Sequence, residues 1–402
     1  MSNASDKYTS EVAVVGGGPA GLVSALALAA AGVDTVLVAP PAKPDHRTTA
    51  LLAGSVTALE TLGVWQACLP DAAALRKIRL VDDTARLIRA PEISFDAAEI
   101  GLDAFGYNIE NRHLLAALDA RATSLKLPRI ASAASAIRAD ATGVTVIHGS
   151  GEIRVRLAVG ADGHRSLCRA AAGIATTRRA YPQTALTLNL SHARPHDGIS
   201  TEFHTASGPF TLVPLPGQRS SLVCVVDART ADGFAEMDDD ALSAAIERRA
   251  HSLLGKITIE PGHGIFPLAM ETAEAFARDR IALVGEAAHV VPPIGAQGLN
   301  LGLRDAATIA ELVADARRSG HDVGDAGVLA RYDTQRRADV TSRTLAVDLL
   351  NRSLLTDFLP AQGARGLSAF LVDRIGPLRR ALMREGVTPA ASQPRLMRGE
   401  MV

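Results

Sequence analysis

The clearest hydrophobic pattern occupies the first forty residues. A β-branched run at 11–15 leads into three glycines and a proline, an Ala/Leu-rich stretch follows at 20–31, and a second β-branched run covers 35–39. This order predicts a strand, a tight turn, a helix and a second strand. Residues 12–33 carry no charge and are long enough to cross a bilayer. The glycines and the proline within them favour a buried strand, turn and helix instead.

Weaker apolar patterns predict further strands and helices along the chain. Strands are expected at 143–148, 153–159, 185–190, 221–226 and 280–284, and short ones between 78 and 105. Helices are expected at 55–66, 111–125, 239–254 and 299–318, and from 328 to about 385 with a break near Pro360. The last dozen residues are expected to be a loose tail. Together these elements indicate an α/β fold.

Composition narrows the class of protein. Of 402 residues, 47% are hydrophobic and 21% are charged, so the chain can bury a large core and is not mainly disordered. The 42 basic residues nearly balance the 43 acidic ones, which gives no overall charge for binding nucleic acid. The three cysteines form no CxxC pair, which argues against disulfides and zinc and indicates a reducing compartment. The polar N-terminus is not of secretory type, so we expect a cytoplasmic protein.

The first turn has the pattern Gly16-x-Gly18-x-x-Gly21, with Pro19 and Ala20 before the last glycine. In such turns the first glycine permits the tight bend, the second lets the backbone approach a pyrophosphate, and the third lets helix and strand pack closely. The start of the helix offers unpaired N–H groups and a positive dipole end to the phosphates. We therefore predict a dinucleotide site here, with a ligand-free glycine turn as the alternative.

The ribose end of this site departs from the usual pattern. An acidic residue commonly ends the second strand and holds the ribose hydroxyls. Here that place is Ala39, followed by two prolines, and Asp34 comes too early. We expect backbone groups or Arg47 to hold the adenosine end instead.

Two further motifs follow later strands. They are Gly160-Ala161-Asp162-Gly163-His164-Arg165-Ser166, and Gly285-Glu286-Ala287-Ala288-His289 with Pro292-Pro293 and Gly295-Ala296-Gln297-Gly298-Leu299-Asn300 behind it. With the glycine turn, they resemble the three fingerprints of the group A FAD-dependent aromatic hydroxylases, although Glu286 stands where that family usually has Asp. The chemistry agrees, because a carboxylate at a strand end can accept hydrogen bonds from ribityl hydroxyls. The helix after Gly298 can face the N1/C2 edge of the flavin, where charge collects on reduction.

Shorter matches narrow the resemblance to the ubiquinone-biosynthesis hydroxylases of the UbiH/UbiF type. They lie at 47–51, 108–112, 208–210 with 215–216, and 295–302. The resemblance implies that Arg47 and Arg112 contact FAD and that Asp162 serves the flavin and the nicotinamide dinucleotide. The full set of FAD-binding residues that it implies is Gly16, Gly18, Pro19, Ala20, Gly21, Arg47, Arg112, Asp162, Gly163, Gly285, Glu286, Pro292, Gly295, Gln297, Gly298, Leu299 and Asn300.

The same resemblance implies a division into domains. It predicts a Rossmann-like FAD-binding domain of the glutathione-reductase type, an inserted β-sheet substrate domain and a C-terminal helical region. We place the FAD-binding domain at 1–77, 105–176 and 265–325, the substrate domain at 78–104 and 177–264, and the C-terminal region at 326–402. The substrate is expected to contact Phe203, Phe210, Leu212 and Pro214.

The implied reaction is hydroxylation of the aromatic ring of a polyprenylated phenol in ubiquinone biosynthesis. NAD(P)H would reduce FAD, O2 would give a flavin C4a-hydroperoxide, and the phenol would take up the distal oxygen. A general base near the phenol would help. His289 is the candidate, with a purely packing role as the alternative. His192, His196 and His204 lack the spacing of metal ligands, so no metal site is predicted.

Other interpretations stay open. A group A hydroxylase of a soluble aromatic compound is one, and a non-catalytic FAD-fold protein that binds prenylated molecules is another. Flavin halogenases carry a Trp-rich motif, which disfavours them because Trp65 is the sole tryptophan. No second glycine fingerprint for NAD(P)H is present. NAD(P)H is therefore expected to bind as a co-substrate without a Rossmann domain of its own.

The C-terminal region bears on how an apolar substrate reaches the protein. A prenyl tail does not diffuse freely in water, so contact with a membrane or a partner in a ubiquinone-biosynthesis complex is expected. Residues 361–402 place apolar side chains at helical spacing between arginines: Leu367, Phe370, Leu371, Ile375, Leu378 and Leu382. Such a helix lies on an anionic membrane or packs on the core with its arginines outward; we favour packing. Pro377 is expected to interrupt it.

Overall fold

The computed structural model describes residues 9–42, 45–84, 89–149, 151–355, 370–372, 374–387 and 393–402. The strands are β1 (Ser10–Val15), β2 (Thr35–Val38), β3 (Thr48–Leu52), β4 (Ala72–Ala74), β5 (Lys77–Asp82), β6 (Ile93–Asp96), β7 (Gly106–Glu110), β8 (Arg129–Ile130), β9 (Ala134–Ala139), β10 (Val144–His148), β11 (Gly151–Gly160), β12 (Thr176–His192), β13 (Ile199–Thr205), β14 (Gly208–Leu215), β15 (Arg219–Asp227), β16 (Ile257–Ile259), β17 (Gly264–Ala273), β18 (Ala277–Arg278), β19 (Ile281–Leu283) and β20 (His289–Val290). The helices are α1 (Pro19–Ala30), α2 (Ala53–Thr61), α3 (Trp65–Cys68), α4 (Asn111–Ser124), α5 (Leu167–Ala171), α6 (Ala228–Ala235), α7 (Asp239–Arg249), α8 (Gln297–Arg318), α9 (Ala326–Leu355) and α10 (Gly376–Val387). Short 3₁₀ turns lie at Leu69–Asp71, Ala97–Ile100, Gly285–Ala287 and Arg395–Arg398.

The first sheet is built around the strand that precedes the glycine turn. Its order is β18-β19-β11-β1-β2-β8, and β1 is parallel to both β2 and β11. Val12 and Val14 of β1 are fully buried, as expected of a parallel strand covered on both faces. Helices α1 and α8 pack against each other beside it. A Cβ on Gly302 would lie 3.2 Å from the Cα of Gly285, so α8 approaches the loop after β19 closely.

The second sheet has two differently covered faces. Its order is β20-β17-β12-β15-β14-β13-β5-β6, and only β5 and β13 pair in parallel. One face packs against α6 and α7, where Phe203, Phe210 and Ile246 share one apolar core. On the other face, Asn108 of β7 donates to the Pro214 carbonyl and the Ser221 hydroxyl, both at 3.0 Å. The three-stranded sheet β3-β7-β4 therefore lies against this second face.

Helix α9 connects the two large sheets. Near its start, the Tyr332 hydroxyl donates to the Leu283 carbonyl of β19 at 2.7 Å. Near its end, Asp348 accepts hydrogen bonds from Arg179 and Tyr181 of β12, both at 2.8 Å. One helix thus contacts both sheets. No helix in the described part of the chain has the length and hydropathy needed to cross a bilayer.

The structure corrects two expectations about boundaries. Strand β17 pairs with β12 in the second sheet, so the predicted return to the FAD-binding domain at 265 falls inside a strand of that sheet. Leu396 is fully buried and Arg395 pairs with Asp315 at 2.6 Å, so 393–402 is not a loose tail. The interruption expected at Pro377 is present: residue 374 is helical, Ile375 is not, and α10 begins at Gly376 with Pro377 in its first turn. The expected break at Pro360 and residue Leu367 lie outside the described residues.

Candidate cofactor site

The glycine turn after β1 leaves no room for side chains at two of its positions. Gly16 has φ +116°, and a Cβ there would lie 2.2 Å from the carbonyl oxygen of Ala161. A Cβ on Gly21 would lie 2.0 Å from the carbonyl oxygen of Gly16. The backbone of the turn therefore lies very close to α1 and to the residue that follows β11. Glycine at both positions is therefore required by close backbone approach.

The N-terminus of α1 faces open space. Gly18 is the residue before the helix, Pro19 occupies its first position, and no side chain caps it. A Cβ on Gly18 would meet no atom within 4 Å. The N–H groups of Ala20 and Gly21 are therefore available to a ligand, whereas that of Leu22 donates to the Gly18 carbonyl at 2.9 Å. A helix start of this kind binds phosphate.

The adenosine end carries a cation instead of the usual acid. Ala39 is fully buried, and a Cβ on Gly17 would lie 2.9 Å from its Cβ. Arg129 reaches this point from β8: it donates to the Pro40 carbonyl at 3.2 Å and pairs with Asp119 at 2.8 Å. Sequence analysis missed Arg129, because only the pairing of β2 with β8 brings it beside the turn. Arg47, which was suggested for this end, lies near Asp45 and Glu286, and its contact with the adenosine end stays a prediction.

Asp162 follows β11 and lies beside the glycine turn. A Cβ on Gly16 would be 2.9 Å from the Asp162 backbone nitrogen. The Asp162 carboxylate accepts hydrogen bonds from the Ser166 hydroxyl at 2.6 Å and the Leu167 amide at 2.7 Å. Its carboxylate therefore stabilises the start of α5, while Gly163, at φ +80°, turns the chain. The flavin and nicotinamide role of Asp162 stays a prediction.

The turn after β19 presents Glu286 to solvent. Gly285 has φ +63° and its N–H donates to Asp305 at 2.9 Å, which fixes the backbone immediately before Glu286. The Glu286 side chain is exposed. Arg47 lies within electrostatic reach: a hydrogen bond with Asp45 raises the pKa of Arg47, and the charge of Glu286 adds to the effect. Arg47 and Glu286 thus belong to one region of the molecule.

The start of α8 is a second uncapped helix N-terminus. Ala296 precedes it in a left-handed conformation with φ 55°, and no side chain caps the helix. Asn300 holds the loop in place by donating to Ala296 and Ala50 carbonyls and accepting from the Leu52 amide. The other predicted residues of this loop differ in exposure. Gly295 and Gly298 are exposed, Gln297 and Leu299 are half-buried, and Pro292 is buried. Within the loop, the Ile294 amide donates to the Pro292 carbonyl at 2.7 Å, and the first amides of α8 have no side-chain cap.

A buried carboxylate lies behind both loops. Asp305 has no exposed surface, and it accepts from Arg336 Nε at 2.6 Å and lies 2.7 Å from His289 Nε2. Burial would raise the pKa of Asp305, but the charges of Arg336 and His289 and the Gly285 amide lower it to about 2. Asp305 is therefore an anion that ties α8, α9 and the Gly285 turn together.

The environment of His289 gives this ring a positioning role. Its side chain has no exposed surface, and Nε2 is bonded to Asp305. Its Nδ1 is buried without a hydrogen-bond partner in the described residues. The ring lies behind the Gly285 turn, so acid or base chemistry by His289 stays a prediction that this placement does not favour.

The predicted arginines lie on one edge of the site, each beside a carboxylate. Arg47 pairs with Asp45 at 2.8 Å and keeps 67% of its side chain exposed. Arg112 pairs with Glu110 at 3.0 Å, and Glu110 also pairs with Arg219 of the second sheet at 3.0 Å. Burial opposes ionisation of Glu110, but these two arginines lower its pKa overall. Arg112 thus stands where the FAD-side strand β7 meets the second sheet.

The predicted substrate residues require a correction. Phe203, Phe210 and Leu212 lie in the core between the second sheet and helices α6 and α7. Successive residues of a strand point to opposite faces, so Thr211 and Val213 face the other side, toward β7. Pro214 contributes a backbone carbonyl to Asn108 rather than a free surface. Phe203 on β13 and Phe210 and Leu212 on β14 therefore belong to the helix-covered face.

These features fit a flavin dinucleotide. Two uncapped helix starts, a turn in which only glycine fits, and an exposed carboxylate between them supply donors for phosphates and an acceptor for hydroxyls. No group of three or more potential metal ligands is found among the residues that the structure describes. The helix N-termini and the exposed carboxylate suit the phosphates and hydroxyls of an organic cofactor.

Comparison with known proteins decides the family. The model of the FAD-binding domain family matches residues 9–345. Ubiquinone hydroxylase UbiL of Rhodospirillum rubrum is 34% identical over 99% of this chain and 95% of its own length. The chain belongs to the FAD-dependent hydroxylases of ubiquinone biosynthesis. A second relative of this hydroxylase, 3-demethoxyubiquinol 3-hydroxylase of Escherichia coli, is 32% identical over 93% of this chain and 97% of its own.

Solved structures support the fold of the hydroxylase. The p-nitrophenol 4-monooxygenase PnpA of Pseudomonas putida matches with a TM-score of 0.76 and 21% identity, covering 95% of this chain and 99% of its own. HpxO of Klebsiella pneumoniae, solved with FAD and uric acid, matches with a TM-score of 0.73 and 19% identity. The match covers 95% of this chain and 97% of HpxO. The hydroxylase is thus a flavoprotein monooxygenase by family and shares its fold with these enzymes.

Proposed function

We propose that this hydroxylase adds one oxygen atom to the aromatic ring of a polyprenylated phenol, using FAD, NAD(P)H and O2. The observation that carries the proposal is the agreement between the site and the relatives. The two relatives named above are called ubiquinone hydroxylase and 3-demethoxyubiquinol 3-hydroxylase, and each matches nearly the whole chain. When bound, FAD supplies the reductive activation of O2 that no side chain provides.

Each part of the site has a distinct task toward the cofactor. The turn from Gly16 to Gly21 and the start of α1 would bind the pyrophosphate. Glu286 would accept hydrogen bonds from the ribityl hydroxyls, with Arg47 close enough to compensate its charge. The uncapped start of α8 would place N–H groups and a positive dipole end at the flavin ring edge, where negative charge collects on reduction.

The substrate would bind between the FAD-binding elements and the face of the second sheet opposite α6 and α7. Thr211, Val213 and Val223 lie on that face, because they alternate with residues of the helix-side core. Valine side chains suit an apolar ring and tail. Enclosure by the sheet would also exclude water from the reacting centre.

Contact with a membrane is part of the proposal. In α10, Met383 and Val387 pack inward, whereas Leu378 and Leu382 are 40% and 50% exposed. Exposed apolar residues one helical turn apart, interleaved with arginines 380 and 384, suit the surface of an anionic bilayer. The helix packs on the core, but Arg379 is buried beside Glu99 instead of pointing outward with the other arginines. The exposed leucines would offer an apolar strip to lipid.

Vesicle binding tests this contact. The double variant Leu378→Ser/Leu382→Ser is expected to lose co-sedimentation with phosphatidylglycerol vesicles that the wild type shows. Leu125→Ser, at an exposed leucine that follows α4, serves as the matched control. Equal sedimentation of all three proteins would contradict a role for α10.

Turnover tests the reaction itself. Purified hydroxylase with NADH or NADPH is given a phenol bearing a short prenyl chain and the same phenol without it. We expect a hydroxylated product and a higher kcat/KM for the prenylated phenol. A higher kcat/KM for the bare phenol would support a hydroxylase of soluble aromatics. A protein that binds FAD and prenylated phenol without any product would support the non-catalytic alternative.

A further inference from the structure

The second sheet carries a histidine–carboxylate pair on the face opposite α6 and α7. Glu202 and His204 flank Phe203 in β13, and Phe203 belongs to the core against α6 and α7. Because side chains alternate along a strand, the pair points to the opposite face. Thr211, which is paired with Glu202 in the sheet, points the same way.

The pair is ordered by hydrogen bonds. His204 Nε2 lies 2.8 Å from Glu202 Oε1, and the Thr211 hydroxyl donates to Glu202 Oε2 at 3.1 Å. The side chains of His204 and Glu202 are 13% and 15% exposed, so they are shielded but still reachable. Within the described residues, no hydrogen bond is made to His204 Nδ1. The imidazole thus has one nitrogen fixed by a carboxylate and one nitrogen available.

The pair lies between two covered ends of the face. At the Pro214 end of β14, Asn108 of β7 contacts the sheet. At the Gly208 end, Gln183 donates to the Ser207 carbonyl and is bonded to Asn351 of α9. Thr211, and with it Glu202, is midway between these ends. The pair therefore lies on the part of this face between β7 and α9, where the substrate is proposed to bind.

Other charged groups near this face already have partners. Asp82 of β5 is paired with His204 in the sheet, and its carboxylate accepts from the Thr84 hydroxyl at 2.6 Å and the Ala90 amide at 2.9 Å. Where α9 meets β12, Asp348 pairs with Arg179 at 2.8 Å. The residues of β14 beside the pair, Pro209 and Thr211, do not titrate. Among the described residues of this face, His204 is therefore the base that has a nitrogen, Nδ1, without a hydrogen-bond partner.

The chemistry of such a pair suits a phenol. A carboxylate that accepts the Nε2–H fixes the tautomer, leaves the lone pair on Nδ1 and stabilises the imidazolium that forms on protonation. Loss of its proton makes a phenol ring richer in electrons at the carbon that takes up oxygen. We propose that His204, oriented by Glu202, accepts the phenolic proton of the substrate during hydroxylation. The phenol O–H bond breaks, an N–H bond forms at Nδ1, and the proton returns to the product oxygen or to solvent.

This inference rests on the proposed function, and the test separates the two. The variants are His204→Gln, which keeps a polar side chain without basicity, and Glu202→Gln, which keeps the shape of the acceptor. His251→Gln is the matched control, because His251 also pairs with a carboxylate, Asp83 at 3.0 Å, but contacts Phe203 on the helix-covered side. FAD content and far-UV circular dichroism establish that each variant is folded.

The readout is hydroxylation of a series of short-chain prenylated phenols whose hydroxyl acidity is varied by ring fluorination. His204→Gln is expected to lower kcat by about 100-fold on the least acidic phenol, with partial rescue on the most acidic one, because an acidic phenol needs a base less. Glu202→Gln is expected to show the same trend with a smaller loss, and His251→Gln none. A purely structural role would lower all rates equally.

The outcomes are distinct. If the wild type hydroxylates no prenylated phenol, the proposed function fails. If the wild type is active and His204→Gln matches it across the series, or loses rate equally on every phenol, the inference about His204 fails. If His204→Gln does not fold, Glu202→Gln decides, since the inference requires its loss to depend on phenol acidity.

Discussion

Replacing Asp305 by asparagine tests how the cofactor loops are held. Asparagine has the same shape and can still accept the Gly285 N–H, but it removes the charge that faces Arg336 and His289. The pKa of Asp305 lies at about 2 instead of 3.8. At about 1.4 kcal/mol for each pH unit, this difference corresponds to about 2 kcal/mol of stability above pH 4. Removing one partner of a buried ion pair costs about 3–5 kcal/mol. Because asparagine keeps the hydrogen bond from Gly285, we expect Asp305→Asn to lower the free energy of unfolding by about 2–4 kcal/mol.

The assay is urea unfolding of the apo-protein, followed by circular dichroism between pH 3 and pH 8. Because the folded pKa is lower than the unfolded one, the difference between wild type and Asp305→Asn should be constant above pH 5. It should shrink as the pH falls through 3.8 toward 2. FAD affinity of the variant should fall as well, since the Gly285 turn loses its charged anchor.

Asp315→Asn is the matched control on the same helix. Asp315 pairs with Arg395 at 2.6 Å, but its side chain is 35% exposed, so we expect a loss below about 1 kcal/mol. If both variants unfold at the same urea concentration, the buried Asp305 network does not organise the site and the reasoning is refuted.

Three further predictions concern the same architecture. Gly16→Ala should abolish FAD binding, measured by released flavin, because its Cβ would lie 2.2 Å from the Ala161 carbonyl oxygen; retention of stoichiometric FAD would contradict this. Glu286→Gln should raise the Kd for FAD about 10–100-fold in fluorescence titration, since a charged acceptor is worth about 1.5–3 kcal/mol. The exposed control Glu274→Gln should leave that Kd unchanged. Leu396→Ala should lower the free energy of unfolding in urea by about 2–5 kcal/mol, since Leu396 is fully buried. A loss below about 0.5 kcal/mol would indicate that the last residues form a loose tail after all.

The local parts of the site were predictable from sequence. The strand, glycine turn and helix follow one another within the first forty residues. The spacing of the glycines alone identifies the positions that must lie close to another part of the backbone. The loop that begins α8 is equally local. In both cases the residues that fix the conformation are neighbours in the chain, so a short window contains the information.

Long-range relations were not predictable in the same way. Phe203 and Thr211 both lie on apolar strands, and the helix-covered face is known only once α6 and α7 are placed. Asp305 reaches Gly285 and His289 across a loop and a helix, and Arg129 reaches the glycine turn through the pairing of β2 with β8. Leu396 is buried by elements far away in sequence. Each of these depends on tertiary packing, which periodicity does not encode.

The most direct test of the central claim is oxygen incorporation. The hydroxylase with bound FAD is supplied with NADH or NADPH, a short-chain prenylated phenol and ¹⁸O2, and the product is analysed by mass spectrometry. The account predicts a ring-hydroxylated product that carries one ¹⁸O atom. Consumption of the reduced nicotinamide with only hydrogen peroxide formed, or a product whose added oxygen comes from water, would contradict it.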